Sequence, residues 1–494
     1  MPMRAFGEFA PDVSDLNTDT LDVARNVLPG VNSYTPAPGL VPHSVTPLPL
    51  PCKGLWYVQT AAGDYDTYAA TAQKLYKYDP DTGTFTDMTR TVGGDYALPA
   101  DDYWSGVQYG NRLIVCNIGN EPQFIDVDSG TEFANLPNAP IASFVTVMDD
   151  HVVFSRLFTN PRSIAWSAIN DSEDYTTGTS GFQEFSDAGE VTGFCANAHI
   201  VFLQRGLRGI VSTGDKYAFS FPMMSSEKGT VSPFSVLEFG GIAYWLSDNG
   251  FYVGNAEQQK SISEKRISGY FYDALNQGRI TRVFAALDPH ASRIYWAYAV
   301  GDEEWNDRVL VYDWGLDRWS ELEVNTYILS RLATASVSLD SVGPDSMDMD
   351  EPGLPSLDSF FYRSGAPTLA AVGTDLQLST MEGPPLAATL LTGSYAFAEG
   401  RRARMRSVLT YIEESRRTEE GLLLDQSTIT LKVSKRQRYG DDWLTSSAIP
   451  QQRSGNYRMN ADGHFHRFQI DIPAGTDWRH AHGWEADFVP TTGR

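Results

Sequence analysis

Residues 283–322 read VFAALDPHASRIYWAYAVGDEEWNDRVLVYDWGLDRWSEL, and this stretch decides the fold. Four apolar runs, 283–287, 293–300, 308–313 and 318–322, are separated by Asp288-Pro289, Gly301-Asp302 and Trp314-Gly315-Leu316-Asp317. Each run is rich in Val, Ile, Tyr, Trp and Phe, the side chains that fit a pleated, half-buried surface. Four strands with tight connections in roughly 40 residues are the size of one β-propeller blade.

The second half of this stretch recurs near the N-terminus. Aligned without a gap, Tyr78-Asp79 matches Tyr312-Asp313, Phe85 matches Trp319, Thr86 matches Ser320 and Asp87 matches Glu321. A looser copy is 124–133, with its turn at 126–130. The first half, strand–turn–strand, recurs at 103–116, 144–154, 191–203 and 236–246, with Gly110-Asn111, Asp149-Asp150, Ala196-Asn197 and Gly240-Gly241 at the reversals. Residues that tolerate positive φ are what tight hairpins demand there. Starts at 103, 144, 191, 236 and 283 are spaced by a blade length. Leu55 and Phe360 supply further candidates, so the expected propeller spans 52–384 with six or seven blades. Residues 335–358, rich in Ser, Pro, Gly and Asp, read as an exposed loop inserted in the last blade.

The flanks read differently. Residues 1–51 carry nine prolines, too many for a helix or a central strand. They are expected to form an extended arm laid over the same or a neighbouring subunit. From 385 to 494 the segments 407–412, 428–434, 464–472 and 484–489 read as strands, and 428–433 and 466–472 alternate polar and apolar residues, the pattern of an antiparallel sheet with one wet face. A small C-terminal β-sandwich is expected there. The one short helix candidate is 267–275. The fold class is therefore all-β.

The formal net charge is −24, which argues against a protein that grips nucleic acid through its phosphates. A conduit through which DNA merely passes is compatible with it, since like charge prevents sticking. The charge is uneven: residues 401–494 hold 15 basic and 12 acidic residues, the first 400 hold 23 and 50. Cys52, Cys116 and Cys195 show neither metal spacing nor a disulfide framework. No secretory h-region is visible at the N-terminus, and no run approaches the roughly 20 apolar residues that span a bilayer.

Catalytic and cofactor signatures are missing: no Walker loop, no Rossmann glycine pattern, no G-x-S-x-G elbow, and no cofactor is expected. The turns at 79–85 and 247–250 superficially resemble those of propeller sialidases but lack their pattern. The acidic run 345–351 lacks the sixth-position Gly and distal Glu of a calcium loop and reads as a solvated loop tip. His464, His466, His480 and His482 cluster within 19 residues and raise the question of zinc. Arg401, Arg402, Arg404 and Arg406 alternate along one expected strand, and Lys432, Lys435, Arg436 and Arg438 form a second basic cluster. Contact with an acidic neighbouring subunit is the preferred reading of both clusters, DNA contact the second.

Three segments carry a resemblance to a known family. The arm segment ARNVLPGVNSYTP (24–36) resembles the opening of the packaged-DNA stabilisation, tail hub or nozzle proteins of short-tailed bacteriophages. Residues 103–122, with QYGNRLI at 108–114 and GNEP at 119–122, are similar to their most recognisable blade. Residues 466–468, 473–475 and 478–493 are similar to their C-terminal strands. The resemblance implies a structural, non-enzymatic virion protein: a homo-hexameric ring below the portal and its adaptor, closing the channel over packaged double-stranded DNA and conducting it at ejection. It also implies an outer propeller that supports fibres or spikes, and assembly in the host bacterial cytoplasm without membrane insertion. The alternative is a propeller that binds or cleaves glycans.

Overall fold

A computed structural model describes residues 3–214, 218–288, 291–333, 367–398, 401–415, 427–452 and 454–491. The acidic insertion at 335–358, with its run 345–351, and the candidate blade start Phe360 lie outside these residues. Almost every regular element is a strand. Helix is confined, among the described residues, to Ser268–Ala274 and two short 3-10 segments, Pro233–Ser235 and Gln277–Arg282.

Residues 54–333 fold into consecutive four-stranded antiparallel sheets. The first runs from Gly54–Gln59 to Thr84–Asp87, the second from Ser105–Tyr109 to Ala134–Asn135, the third from Ala142–Met148 to Gly181–Glu184. The fourth runs from Val191–Cys195 to Met223–Ser225, the fifth from Leu237–Phe239 to Gln259–Ser261, and the sixth from Phe284–Asp288 to Arg318–Leu322. A last sheet takes Thr326–Ala333, Pro367–Gly373 and Leu378–Thr380, and its outermost strand is Val41–Pro42 from the far end of the chain. The innermost strands neighbour one another in a ring, and Thr326–Ala333 packs beside Gly54–Gln59 to close it. This is the architecture of a β-propeller, seven sheets among the described residues.

The repeated sequence word has a structural meaning. Tyr78 pairs across strands with Phe85, and Tyr312 with Trp319, at ring separations of 5.3 and 4.6 Å. Between each pair the Asp side chain closes the turn: Asp79 accepts from the Asp81 amide and Asp313 from the Leu316 amide, both at 3.0 Å. Cross-strand aromatic pairs fix register, and the Asx turn fixes the reversal. At 149–150 both Asp residues have positive φ, as a two-residue hairpin turn requires.

The two chain ends build a second body of two sheets. One has the order Val27–Pro29, Tyr34–Pro36, Trp478–Thr491, Arg402–Glu414, Asn456–Gly463, with Arg4–Ala5 also paired to Trp478–Thr491. The other continues the sixth propeller sheet: Thr20–Arg25 lies beside Arg318–Leu322 and pairs with Ala388–Thr392, followed by Phe465–Ile472 and Thr430–Arg436. The N-terminal segment is thus laid on its own chain. Its prolines fall in short or outer strands (Pro29, Pro36, Pro42), while the Pro-free 20–25 supplies the central one.

One hydrophobic core joins the two bodies. Inward residues of both sheets (Met405, Val408, Trp484; Leu431, Phe468, Ile470) share a cluster with Phe251, Phe271, Trp296 and Trp319 of the propeller. Leu21, Ala24, Val27 and Tyr34 from the N-terminal segment are buried in the same cluster.

Candidate functional site: a basic end and a plugged axis

The two basic clusters of the sequence meet at one end of the two-sheet body. Along Arg402–Glu414, Ala403, Met405, Val408 and Thr410 are buried while Arg404 and Arg406 are exposed. Arg404 and Arg406, two apart, share the wet face as strand neighbours do, and a register shift between Met405 and Ser407 then moves the buried positions from 403 and 405 to 408 and 410. Arg458 is exposed on the adjacent strand, whose residue position pairs with Ser407. Arg402 donates to Asp462 at 2.7 Å. The turn after Asp462 then brings in the second cluster: Gly463 pairs with Ala403, the His464 amide donates to the Arg436 carbonyl at 3.1 Å, and the Gln437 side chain donates to the Asp462 carbonyl at 3.2 Å. Among the described residues, Arg401, Arg404, Arg406 and Arg458 have no ion-pair partner.

Arg436 has a different task. Only 8% exposed, it bonds Asp15 at 2.7 Å, and its guanidinium lies 4.3, 4.6 and 5.4 Å from the rings of Trp443, Tyr439 and Phe465. A charge buried this way is paired and stacked within its own chain. Lys435 is half-buried opposite His466, Arg438 is exposed, and Lys432 bonds Asp471 at 2.8 Å. Arg401, Arg402, Arg404, Arg406, Lys435 and Arg438 therefore remain at the surface or half-buried.

His480 and His482 stack at 5.5 Å, but among the described residues no three ligating side chains gather around them. His466 is fully buried and its Nε2 lies 3.2 Å from the Ala461 carbonyl, so the neutral ring donates there. His480 faces Ser33 at 3.2 Å, and His482 bonds Glu413 at 3.0 Å. Burial pushes the His466 imidazole down to about 4, against about 6.5 in an unfolded chain. Between those values the unfolded chain binds the extra proton, so stability present above pH 6.5 is lost as the pH falls toward 4. Asp22 works in the opposite sense: burial holds its carboxyl up at about 6, so its contribution rises as the pH falls through 6. His466→Gln is expected to lose less stability than the parent on acidification from pH 7 to 4.5, with the difference growing by at most about 1.4 kcal/mol per pH unit. Urea unfolding at each pH measures it, and parallel curves would refute the assignment.

The propeller axis is closed by rings. The Pro233–Ser235 turn places Phe234 5.1 Å from Phe284, 5.4 Å from Tyr103 and 5.8 Å from Phe144. Phe234 lines cavities on both sides of this plug. On one side the inner strands enclose two spaces of about 280 and 340 Å³, lined largely by apolar side chains and backbone such as Leu55, Phe194, Ala285 and Leu329. On the other side lies a smaller polar cup. Sequence reading missed the plug; its only local signal is Ser232-Pro233-Phe234-Ser235, a break placed just before an inner strand.

No protein-family model matches the chain, and no curated protein does. Among solved structures, the N-terminal domain of Nup159 is 10% identical over 72% of this chain and 98% of that one, with a TM-score of 0.36. A computationally designed protein, Ika8, is 10% identical over 76% and 99%, with a TM-score of 0.35. The extracellular domain of a hybrid two-component system from B. thetaiotaomicron is 14% identical over 55% and 36%, with a TM-score of 0.34. At such scores none of these likenesses bears on function.

Proposed function

We propose that the chain is a structural protein of a short-tailed phage virion, a tail hub or nozzle that extends the portal channel, retains packaged DNA and conducts it at ejection. In this reading the propeller has seven blades and sits outside the channel as a platform for fibres or spikes, while the C-terminal β-sandwich with its N-terminal strands forms the ring. One observation carries the reading. Two of the three segments that resemble the tail family, 24–36 and 466–493, lie far apart in the chain yet share one body: Tyr34 pairs with Ala481, and Ser33 meets His480, 447 residues away. The alternative is a propeller whose main task is to bind or cleave glycans, and the turns at 79–85 and 247–250 lack the sialidase pattern that would favour it.

The basic end supplies the ring contact. Its unpaired arginines face an otherwise acidic protein, and a neighbouring copy presents the complementary surface. The plugged axis fits a duplex that travels elsewhere. Mass spectrometry of purified virions and imaging of the tail test the reading; absence of the chain from virions, or of density for it around the tail axis, refutes it. Reversing three charges together (R401E, R404E, R406E) is expected to lower incorporation into tails about tenfold or more, with the purified protein still folded. Wild-type incorporation by that variant would remove the basic end from the interface.

A further inference from the structure

The polar cup beyond the plug has about 190 Å³, below the roughly 300 Å³ at which pockets begin to hold drug-sized ligands. Its floor is aromatic: Tyr103, Phe144 and Phe234. Its wall is polar and unevenly used. Arg156 donates to Glu190 at 3.0 Å and to Ser143 at 3.3 Å. Arg156 adopts φ +56° inside the strand His151–Leu157, a backbone state that strains any non-glycine residue and clusters where a side chain must be aimed.

Three other groups on the wall are idle. Among the described residues the Asp102 carboxylate and the Gln204 amide make no side-chain hydrogen bond. The Thr192 hydroxyl, on a residue only 5% exposed, is buried without a partner. A buried polar group is ordinarily satisfied, so the Thr192 hydroxyl marks a position where a ligand supplies what the chain does not, and the half-buried Asp102 and Gln204 on the same wall are open to that ligand. Burial also raises the Asp102 carboxyl above its ordinary range, against the opposing pull of Arg156.

The chemistry of the wall selects the ligand. An anion finds no cation on the wall free to meet it: Arg156 is held by Glu190 and the nearby Arg282 by Asp101, while Lys53, over the Tyr103 ring, donates to the Ala100 carbonyl at 2.7 Å and does not line the cup. A metal ion finds no group of three ligating side chains among the described residues. What remains is a neutral molecule with several hydroxyls and one apolar face. Its hydroxyls donate to Asp102 and the Gln204 carbonyl and accept from the Gln204 amide and Thr192, while its C–H face lies on the rings of the floor. We propose that the cup binds a single neutral sugar residue, the terminal unit of a glycan. The proposal is independent of the virion reading, since virion composition tests that reading and leaves this site untouched.

The test uses the full chain. Saturation-transfer NMR with neutral hexoses and N-acetylhexosamines, followed by an array of neutral and charged bacterial glycans, is expected to show binding to at least one neutral sugar. The variants Asp102→Ala and Gln204→Ala are each expected to weaken that binding about tenfold, one charge-assisted or one neutral hydrogen bond removed, with unfolding midpoints unchanged. Phe239→Ala, a surface ring outside the cup, serves as the control that retains binding. Three outcomes overturn the proposal: no neutral sugar bound, binding confined to charged glycans, or binding unaffected by both cup variants.

Discussion

Replacing Glu321 with Ala is expected to cost about 3–5 kcal/mol of folding stability, the scale for leaving buried charge uncompensated. Glu321 is 2% exposed, and four groups from three parts of the chain converge on it. Tyr298 and Tyr270 donate to its carboxylate at 2.7 and 2.9 Å. Arg308 from the propeller and Arg25 from the N-terminal strand each approach at 3.4 Å. The substitution strands two hydroxyls and part of two guanidiniums. Glu323 also bonds both arginines, at 3.2 Å from Arg25 and 2.5 Å from Arg308, but it is 41% exposed. Glu323→Ala should therefore cost no more than about 1 kcal/mol. Glu321→Gln keeps the volume and an acceptor and should fall between, near about 1–3 kcal/mol. Urea unfolding of the full chain ranks the three. Equal losses for Glu321→Ala and Glu323→Ala would show that the buried carboxylate is not the centre of the network.

This network also marks where sequence reading stops. The propeller was legible because its information is local. Tyr78, Asp79 and Phe85 repeat Tyr312, Asp313 and Trp319 at the same spacing, and each triplet is one hairpin. Expected blade starts at 103, 144, 191, 236 and 283 fall within two residues of strands beginning at 105, 142, 191, 237 and 284. The helix candidate 267–275 contains Ser268–Ala274, with Ile267 and Leu275 as its caps. Strand Asn456–Gly463 was missed because Asn, Asp and Gly are depleted in strands; only Tyr457, Met459 and Ala461 hint at its inner face.

The candidate site was legible as composition and illegible as direction. Arg402, Arg404 and Arg406 alternate as a strand face should. Nothing in the sequence separates Arg436, turned inward onto Asp15, from Arg438, turned outward two residues later. That choice is made by Asp15, 421 residues away in the chain, together with Tyr439, Trp443 and Phe465. Aromatic residues crowded around one Arg in a basic cluster are the only local sign of it. Phe234 is similar: its role exists only once the inner strands of the propeller surround it.

Residues 385–494, which sequence reading delimits as a sandwich, are expected to be unable to fold alone. Ala388–Thr392 pairs with Phe465–Ile472 on one side and with Thr20–Arg25 on the other. Without the N-terminal strand that second edge presents unpaired backbone next to an apolar face, the condition for aggregation rather than folding. The opposite sheet loses Tyr34–Pro36 and Arg4–Ala5 from Trp478–Thr491, and the core loses Leu21, Ala24, Val27 and Tyr34. Asn26 makes the dependence specific. At φ +56° it donates through its side-chain amide to the Ala387 carbonyl at 2.7 Å and accepts from the Glu323 amide at 2.7 Å, so one residue clamps the propeller to the first residues of the C-terminal segment. The isolated 385–494 fragment should show collapsed amide dispersion and no cooperative thermal transition. Co-expression with residues 1–36 restores the missing strands and should raise its soluble yield. A cooperative transition in the fragment alone would mean that the N-terminal strands decorate a body that is already complete, and the clamp at Asn26 would then be a contact between two independent units.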